Sequence, residues 1–328
     1  MTYQPPFTIS AKAISMIAEI SALIERYAIR LEQHDALKLR KANKIKTIQS
    51  SLAIEGNTLS ENQVTDILDG KKVIAPLREI QEVRNAIATY DLFPQLDPFS
   101  VSDLLKAHGV MMSALVDEAG KFRHSGVGVF SGKQAVHIAP PAERIPTLIA
   151  DLFDWLKHAE DHLLIRSCVF HYEFELIHPF ADGNGRVGRL WHTLLLSKWN
   201  SAFAWLPVES IIHDRQQEYY EAINASNGAG ESTVFIEFML SAIKASLIDA
   251  INTNDEMSDR KIDKVTLRWH KIQEYLKTHD YIMNADVREL YGVSAATRIG
   301  YLPALFRKEI LLNTTKADIG HIELYCVK

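Results

Sequence analysis

His178-Pro179-Phe180-Ala181-Asp182-Gly183-Asn184-Gly185-Arg186-Val187-Gly188-Arg189 decides how the rest of this 328-residue chain is read. The stretch is polar, rich in glycine, and flanked on both sides by apolar runs. Leu163-Leu164-Ile165 through Ile177 precede it, and Leu190-Trp191-His192-Thr193-Leu194-Leu195-Leu196 follow. A helix that is apolar nearly all round is a buried helix. The spacing therefore predicts a short polar loop carried between two core helices.

The residue types point to a phosphate site. Gly183 and Gly185 allow positive φ and close approach of the backbone to a ligand. Asn184 to Arg186 would offer free N–H groups at the start of the second helix, where anions bind. Arg186 and Arg189 are three apart and share a helix face, and a guanidinium grips phosphate oxygens as a fork. Asp182 is a hard oxygen ligand of the kind that holds Mg²⁺ together with substrate phosphates. His178 is the one group in the loop that titrates near neutrality, which suits a general base.

With those residues in view, the stretch resembles the signature of the Fic-domain protein adenylyltransferases, H-x-F-x-(D/E)-G-N-G-R-x-x-R, at every fixed position. The resemblance implies that His178 deprotonates a hydroxyl of a target protein. That hydroxyl attacks the α-phosphate of ATP and pyrophosphate leaves. It assigns Mg²⁺ to Asp182, the anion loop to Gly183, Asn184 and Gly185, and the polyphosphate clamps to Arg186 and Arg189. Phe180 matches an aromatic that anchors the loop in the core. The kinase branch of the fold lacks the intact G-N-G-R.

Composition bounds the rest. Apolar residues make up 47% of the chain, enough for a sizeable core, and the net charge of −5 argues against a chain wrapped in nucleic acid. The two cysteines, Cys168 and Cys326, form neither a disulfide framework nor a zinc pattern. The first residues lack a signal-peptide pattern and no apolar run reaches membrane-spanning length. The expectation is a soluble, cytoplasmic protein with no membrane partner.

Residues 1–100 read as an N-terminal helical region. Ile14, Ile17, Ile20, Leu23 and Ile24 mark the packing stripe of its first helix. A second helix, from about Asp35 to Glu55, starts with a solvated basic face at Lys38, Arg40, Lys41, Lys44 and Lys46. Gly56 fits the left-handed position that stops a helix, and Ser60-Glu61-Asn62-Gln63 reads as a capping box opening the next. Glu55 then stands at a helix C-terminus, where the macrodipole disfavours an anion, so it needs a cationic partner or water. The resemblance supplies one. Ser51 and Glu55 match the family's S/T-x-x-x-E-(G/N) inhibitory motif, whose glutamate pairs with the second arginine of the loop, here Arg189. From Pro76 to about Leu96 a further helix shows Arg78, Glu79, Glu82, Arg84 and Asn85 as its wet face. His108, in the helix 104–115, reads as structural.

Residues 101–250 are read as the catalytic core. Val127 to Phe130 and Ala135 to Ile138 flank a Ser131-Gly132-Lys133 turn and predict a hairpin. In the family such a hairpin is a flap that docks the target by strand addition and covers the nucleotide, which brings Gln134, Ala135, Val136 and His137 to ATP. Beyond the loop, a helix from about Asp214 aligns Tyr220, Ile223 and Asn227. The spacing resembles the family's base contacts, so Tyr219, Tyr220 and Asn227 join the ATP-binding set.

Asn252 to Glu256 is polar and reads as a joint before a smaller unit, 256–328. Its order of elements, with a helix 265–279, a turn Gly292-Val293-Ser294 and two β-like runs, predicts a winged helix-turn-helix. The fold class expected is thus mainly α: a Fic-type helical core with a β-hairpin flap, plus a small winged-helix domain. Partners expected are a target protein on the flap, a second copy of the chain, and DNA through 256–328. Two other functions stay open: a DNA-binding regulator that uses the nucleotide site as a sensor, and an enzyme of the same fold moving another phosphate-linked group. From Asp255 to Lys328 twelve Lys/Arg face eleven Asp/Glu, a balance of +1, which leaves DNA and protein as rival ligands for that unit. A gel shift with fragment 256–328 separates them. A DNA reader gives binding that weakens steeply with salt, and a protein-interaction module gives no shift.

Overall fold

The computed structural model describes residues 3–32, 36–126, 128–131, 134–276 and 278; for 128–131, 134–138 and most of 254–276 it describes the backbone alone. Two compact units are present, Met1–Asn252 and Thr253–Lys328. The first carries the loop 178–189. The winged helix expected beyond residue 279 lies outside the described residues.

Helix α1, Ala11–Leu31, starts at Ser10, whose hydroxyl accepts from the Ala13 N–H. Its buried face is Ala13, Met16, Ile20, Ile24, Tyr27 and Leu31, and Ile14 is 59% exposed. Of the expected stripe, Ile20 and Ile24 are buried and Ile17 and Leu23 pack partly against the core, while Tyr27 is buried with its hydroxyl donating to the Trp205 carbonyl at 2.6 Å. Helix α2, Ala36–Ile54, has a basic outer part and a buried second half that includes Ile48, Ser51 and Leu52. Lys41 pairs with Asp69 and Lys46 with Asp249 at the surface. Such pairs contribute little stability, as a solvated face implies.

The end of α2 is built as its sequence dictates. The Asn57 N–H donates to the Leu52 carbonyl and the Gly56 N–H to Ala53, with Gly56 at φ +91°. Those two bonds define a Schellman stop, so Glu55 is the capping residue. Helix α3, Glu61–Leu68, opens with the reciprocal Ser60/Gln63 capping box. Helix α4 spans Leu77–Leu92. Asn85, expected on its wet face, is buried, and its amide donates to the carbonyls of Met111 and Ser113. These acceptors end helix α5, Val101–Met111, so the asparagine ties α4 to α5.

Strands β1, Gly128–Ser131, and β2, Gln134–Ile138, pair antiparallel. Helix α6, Ile145–His158, carries Pro146 in its first turn. Helix α7, Leu163–Ile177, and helix α8, Asn184–Trp199, pack together at the centre of the unit, with most of their side chains buried. Cys168 lies inside α7, and burial pushes its thiol up to about 12. Helices α9, Val208–Asp214, and α10, Gln216–Ala229, lead to α11, Thr233–Leu276. The division between the two units falls within the expected joint 252–256, and the backbone there is helical, part of α11. Polar composition alone does not stop a helix when no Gly or Pro interrupts it. An N-terminal arm closes the first unit: the Ser232 N–H donates to Pro6 O, Ser10 Oγ to Glu237, and Tyr3 Oη to Glu173 at 2.6 Å. No described helix is long and apolar enough to cross a membrane.

A Cβ placed on Gly56 would meet nothing within 4 Å. Gly56→Ala therefore isolates the cost of left-handed backbone, about 1–2 kcal/mol. Thermal unfolding should fall by a few degrees with no change in helix content. A variant as stable as wild type contradicts the Schellman assignment.

Candidate active site

Helix α7 ends at His178, which has φ 49° and ψ 62°. Among the described residues, only Ala114 and His178 take positive φ without being glycine. Such backbone persists where its surroundings over-determine it, and here they do. Arg123, 1% exposed, donates from Nε to the His178 carbonyl at 2.7 Å and from Nη2 to the Pro140 carbonyl at 2.6 Å. The Arg123 N–H donates to Pro179 O. One guanidinium thus fastens the base of the loop to the segment that follows β2.

The loop is closed from inside by Asn184. Its Oδ1 accepts from the Phe180 N–H and its Nδ2 donates to the Phe180 carbonyl, both at 2.9 Å. The sequence marked Asn184 as part of an anion loop; its buried side chain is the loop's staple. Phe180 is fully buried and stacks on His108, with ring centroids 3.7 Å apart. His108 Nδ1 accepts from the Gly120 N–H at 2.9 Å. Its proton is therefore on Nε2, which donates to the Asp182 carbonyl at 3.0 Å. Burial holds this ring neutral by pulling its pKa down to about 4. Gly183, at φ +84°, caps α8, and a Cβ there would lie 2.6 Å from Met112 Sδ.

The charged groups sit on this frame. Asp182 Oδ1 accepts from the Gly183 N–H and from Arg186 Nη2 at 2.8 Å, and Oδ2 faces Arg78 Nη2 at 3.4 Å. Glu82 lies 3.9 Å from Arg186 and accepts from Asn57. Arg189, 2% exposed, donates from Nε to Ser51 Oγ, and from Nη2 to the Ser51 carbonyl and to Glu55 Oε1 at 2.7 Å. Burial works against its charge, and the neighbouring Glu55 carboxylate outweighs that and raises its pKa. A Cβ on Gly185 would collide with Glu55 Oε1. The carboxylate at the end of α2 is thus seated against the loop.

Of the other residues singled out from sequence, Tyr219 is 2% exposed and its hydroxyl bonds His171 Nε2, so it belongs to the core behind the loop. Tyr220 is 43% exposed. Its neighbour Gln216 donates to the Ile54 carbonyl at 3.0 Å. Asn227 Oδ1 accepts from the Tyr172 hydroxyl. Gln134 to His137 form most of β2, of which the backbone alone is described. Arg78, Glu82, His108 and Arg123 were not marked as functional by sequence. Their partners in the loop lie 55 to 104 residues away, and no local signal announces them.

Residues 98–196 match the Fic/DOC family. A crystal structure of a Fic family protein from Desulfovibrio desulfuricans G20 is 47% identical, with TM-score 0.75, and the match covers 89% of this chain and 87% of that one. The chain belongs to the Fic family. Among named relatives, protein adenylyltransferase fic-1 of Caenorhabditis briggsae is 31% identical over 247 residues, 70% of this chain and 46% of that protein. The structure of Fic-1 from C. elegans is 25% identical, with TM-score 0.62, over 74% of this chain and 73% of that one. This Fic chain spans about half the length of the adenylyltransferases it matches.

The neutral His108 makes loop stability depend on pH. Unfolded, a histidine titrates near ~6.5; folded, this one titrates at about 4. Its contribution is complete above ~6.5 and is lost as pH falls toward 4, by about 1.4 kcal/mol per pH unit. Glu175 and Glu209, both raised to about 7 by burial, work in the opposite sense. The readout is therefore a difference: His108→Gln should be less stable than wild type at pH 7.5, and the gap should narrow between pH 6.5 and 4. A gap independent of pH, measured by urea unfolding, contradicts the neutral ring.

Proposed function

We propose that this chain is a protein adenylyltransferase that moves AMP from ATP to a Ser, Thr or Tyr hydroxyl of a target protein, itself included, and that it rests in a restrained state. One observation carries the reading. The Glu55 carboxylate accepts from Arg189 at 2.7 Å and lies against Gly185, so the cradle already holds an anion. A nucleotide polyphosphate is the anion that its glycines, arginines and helix start fit.

In this reading His178 takes the proton of the incoming hydroxyl as its oxygen attacks the α-phosphorus. The bond to the bridging oxygen breaks and pyrophosphate leaves. Arg186 and Arg189 grip the polyphosphate, and Arg189 can do so once Glu55 gives way. Asp182 fits Mg²⁺, since its partly exposed carboxylate stands at the loop with Oδ2 met by a 3.4 Å contact alone. One carboxylate plus substrate phosphates is a usual Mg²⁺ arrangement. The ion would neutralise phosphate charge. Tyr220 and Asn227 supply a ring and an amide for adenine. The β1–β2 edge docks the target segment as an added strand. Transfer of a different phosphate-linked group is the second reading, favoured by the same loop.

Intact-protein mass after incubation with Mg–ATP distinguishes these. Wild type should gain AMP slowly, and Glu55→Gly faster by about tenfold or more, the effect of ~1.4 kcal/mol. In the Glu55→Gly background, His178→Ala should lose on the order of 10²–10⁴-fold in rate while still binding ATP. A Glu55→Gly protein no faster than wild type sinks the restraint. Gain of phosphate instead of AMP sinks the adenylyl assignment.

A further inference from the structure

Arg189 also borders a small internal cavity of about 10 Å³. Its polar wall is His171 on α7, His192 and Thr193 on α8, and Glu209 on α9. All of these are buried, none more than 5% exposed. Three of these residues each carry a buried polar atom with no hydrogen-bond partner: His171 Nδ1, His192 Nε2 and Glu209 Oε2. Buried polar atoms are almost always satisfied, and each exception asks for a cause. Three exceptions on residues that line one hole ask for a shared one.

We propose that this cavity is the binding site of one internal water molecule, held by His171 Nδ1, His192 Nε2 and Glu209 Oε2, which joins α7, α8 and α9 beside the clamp arginine. The space matches one water, which needs about 10–15 Å³ and two to four polar partners. The chemistry also closes. Burial keeps both rings neutral, His171 well below the usual range and His192 down at about 3. A neutral imidazole nitrogen either donates or accepts, and water can answer either tautomer. Glu209 Oε1 is already met by the Thr193 hydroxyl at 3.3 Å and the Tyr90 hydroxyl at 3.5 Å. Its Oε2 takes a water hydrogen when ionised, or donates to the water oxygen when protonated. Burial lifts this carboxyl to about 7, so both forms exist near neutrality, and water is the partner that serves both. A metal ion does not suit the place: no group of three or more His, Cys, Asp or Glu among the described residues could hold one. The inference stands whichever group the enzyme transfers.

The test is a crystal structure of the full wild-type chain at a resolution that shows internal waters elsewhere. A single peak about 2.6–3.2 Å from all three atoms, without anomalous signal, is expected. An empty cavity, or an anomalous peak, overturns the proposal. Water relaxation dispersion in solution adds a second readout. Wild type should show one more long-lived water than His192→Phe, which removes one partner and fills the space. Val208→Ile, which adds a methylene to the apolar wall, should lose the same water with the polar atoms intact. Equal counts in wild type and in the variants that fold overturn the assignment.

Discussion

A guanidinium that is 2% exposed is buried without a large desolvation cost only if acceptors are already in place, and Arg189 sets that demand on everything around it. Ser51 answers it twice, once from its hydroxyl and once from its carbonyl, and Glu55 answers with a charge. Both residues sit at the end of α2, so the arginine decides where that helix must stop. The Schellman bonds at Gly56 then fix the capping residue as the one that faces the loop. Gly185 leaves the room for its carboxylate. Helix stop, ion pair and missing Cβ are one arrangement.

The loop is held by a second set of partners. Arg123 secures the carbonyl of His178, Asn184 secures both backbone groups of Phe180, and His108 secures the carbonyl of Asp182. Each fastening takes up a backbone group, while the side chains of Asp182, Arg186 and Arg189 are engaged in ion pairs of their own. Side chains that must stay within fractions of an ångström are thereby mounted on a rigid support. Glu82 and Arg78 on α4 surround Arg186 and Asp182 with alternating charge. The first turn of α8 is thus electrically answered on both sides.

Much of this was legible in the chain because it is local. Capping at Ser60, the stop at Gly56 and the left-handed turn at Gly183 are each settled within five residues. The pairing of Glu55 with Arg189 spans 134 residues, and reading it needed a family pattern as well as the electrostatic oddity of an anion at a helix C-terminus. His108, Arg123 and Glu82 were invisible as site residues because each acts on a carbonyl or a charge far away in sequence. Two faces were misjudged for the same reason. Asn85 is polar yet buried, since two carbonyls at the end of α5 need its amide. Ile14 is apolar yet exposed, while Tyr27 is buried on the same helix with an acceptor for its hydroxyl. Periodicity counts polarity and cannot count partners. The polar run 252–256 holds the division between the two units, yet its backbone stays helical, for it contains nothing that ends a helix.

The arm that precedes α1 has a consequence for how the chain is made. Pro6, Thr8 and Ser10 bond to Ser232, Thr233 and Glu237, contacts that span more than 220 residues. On a ribosome the arm emerges well before its partners, which come late. Loop closure of that span costs entropy that only the finished unit repays. Until the start of α11 is synthesised, α1 has no clasp, and the first unit cannot complete its fold from the N-terminus alone.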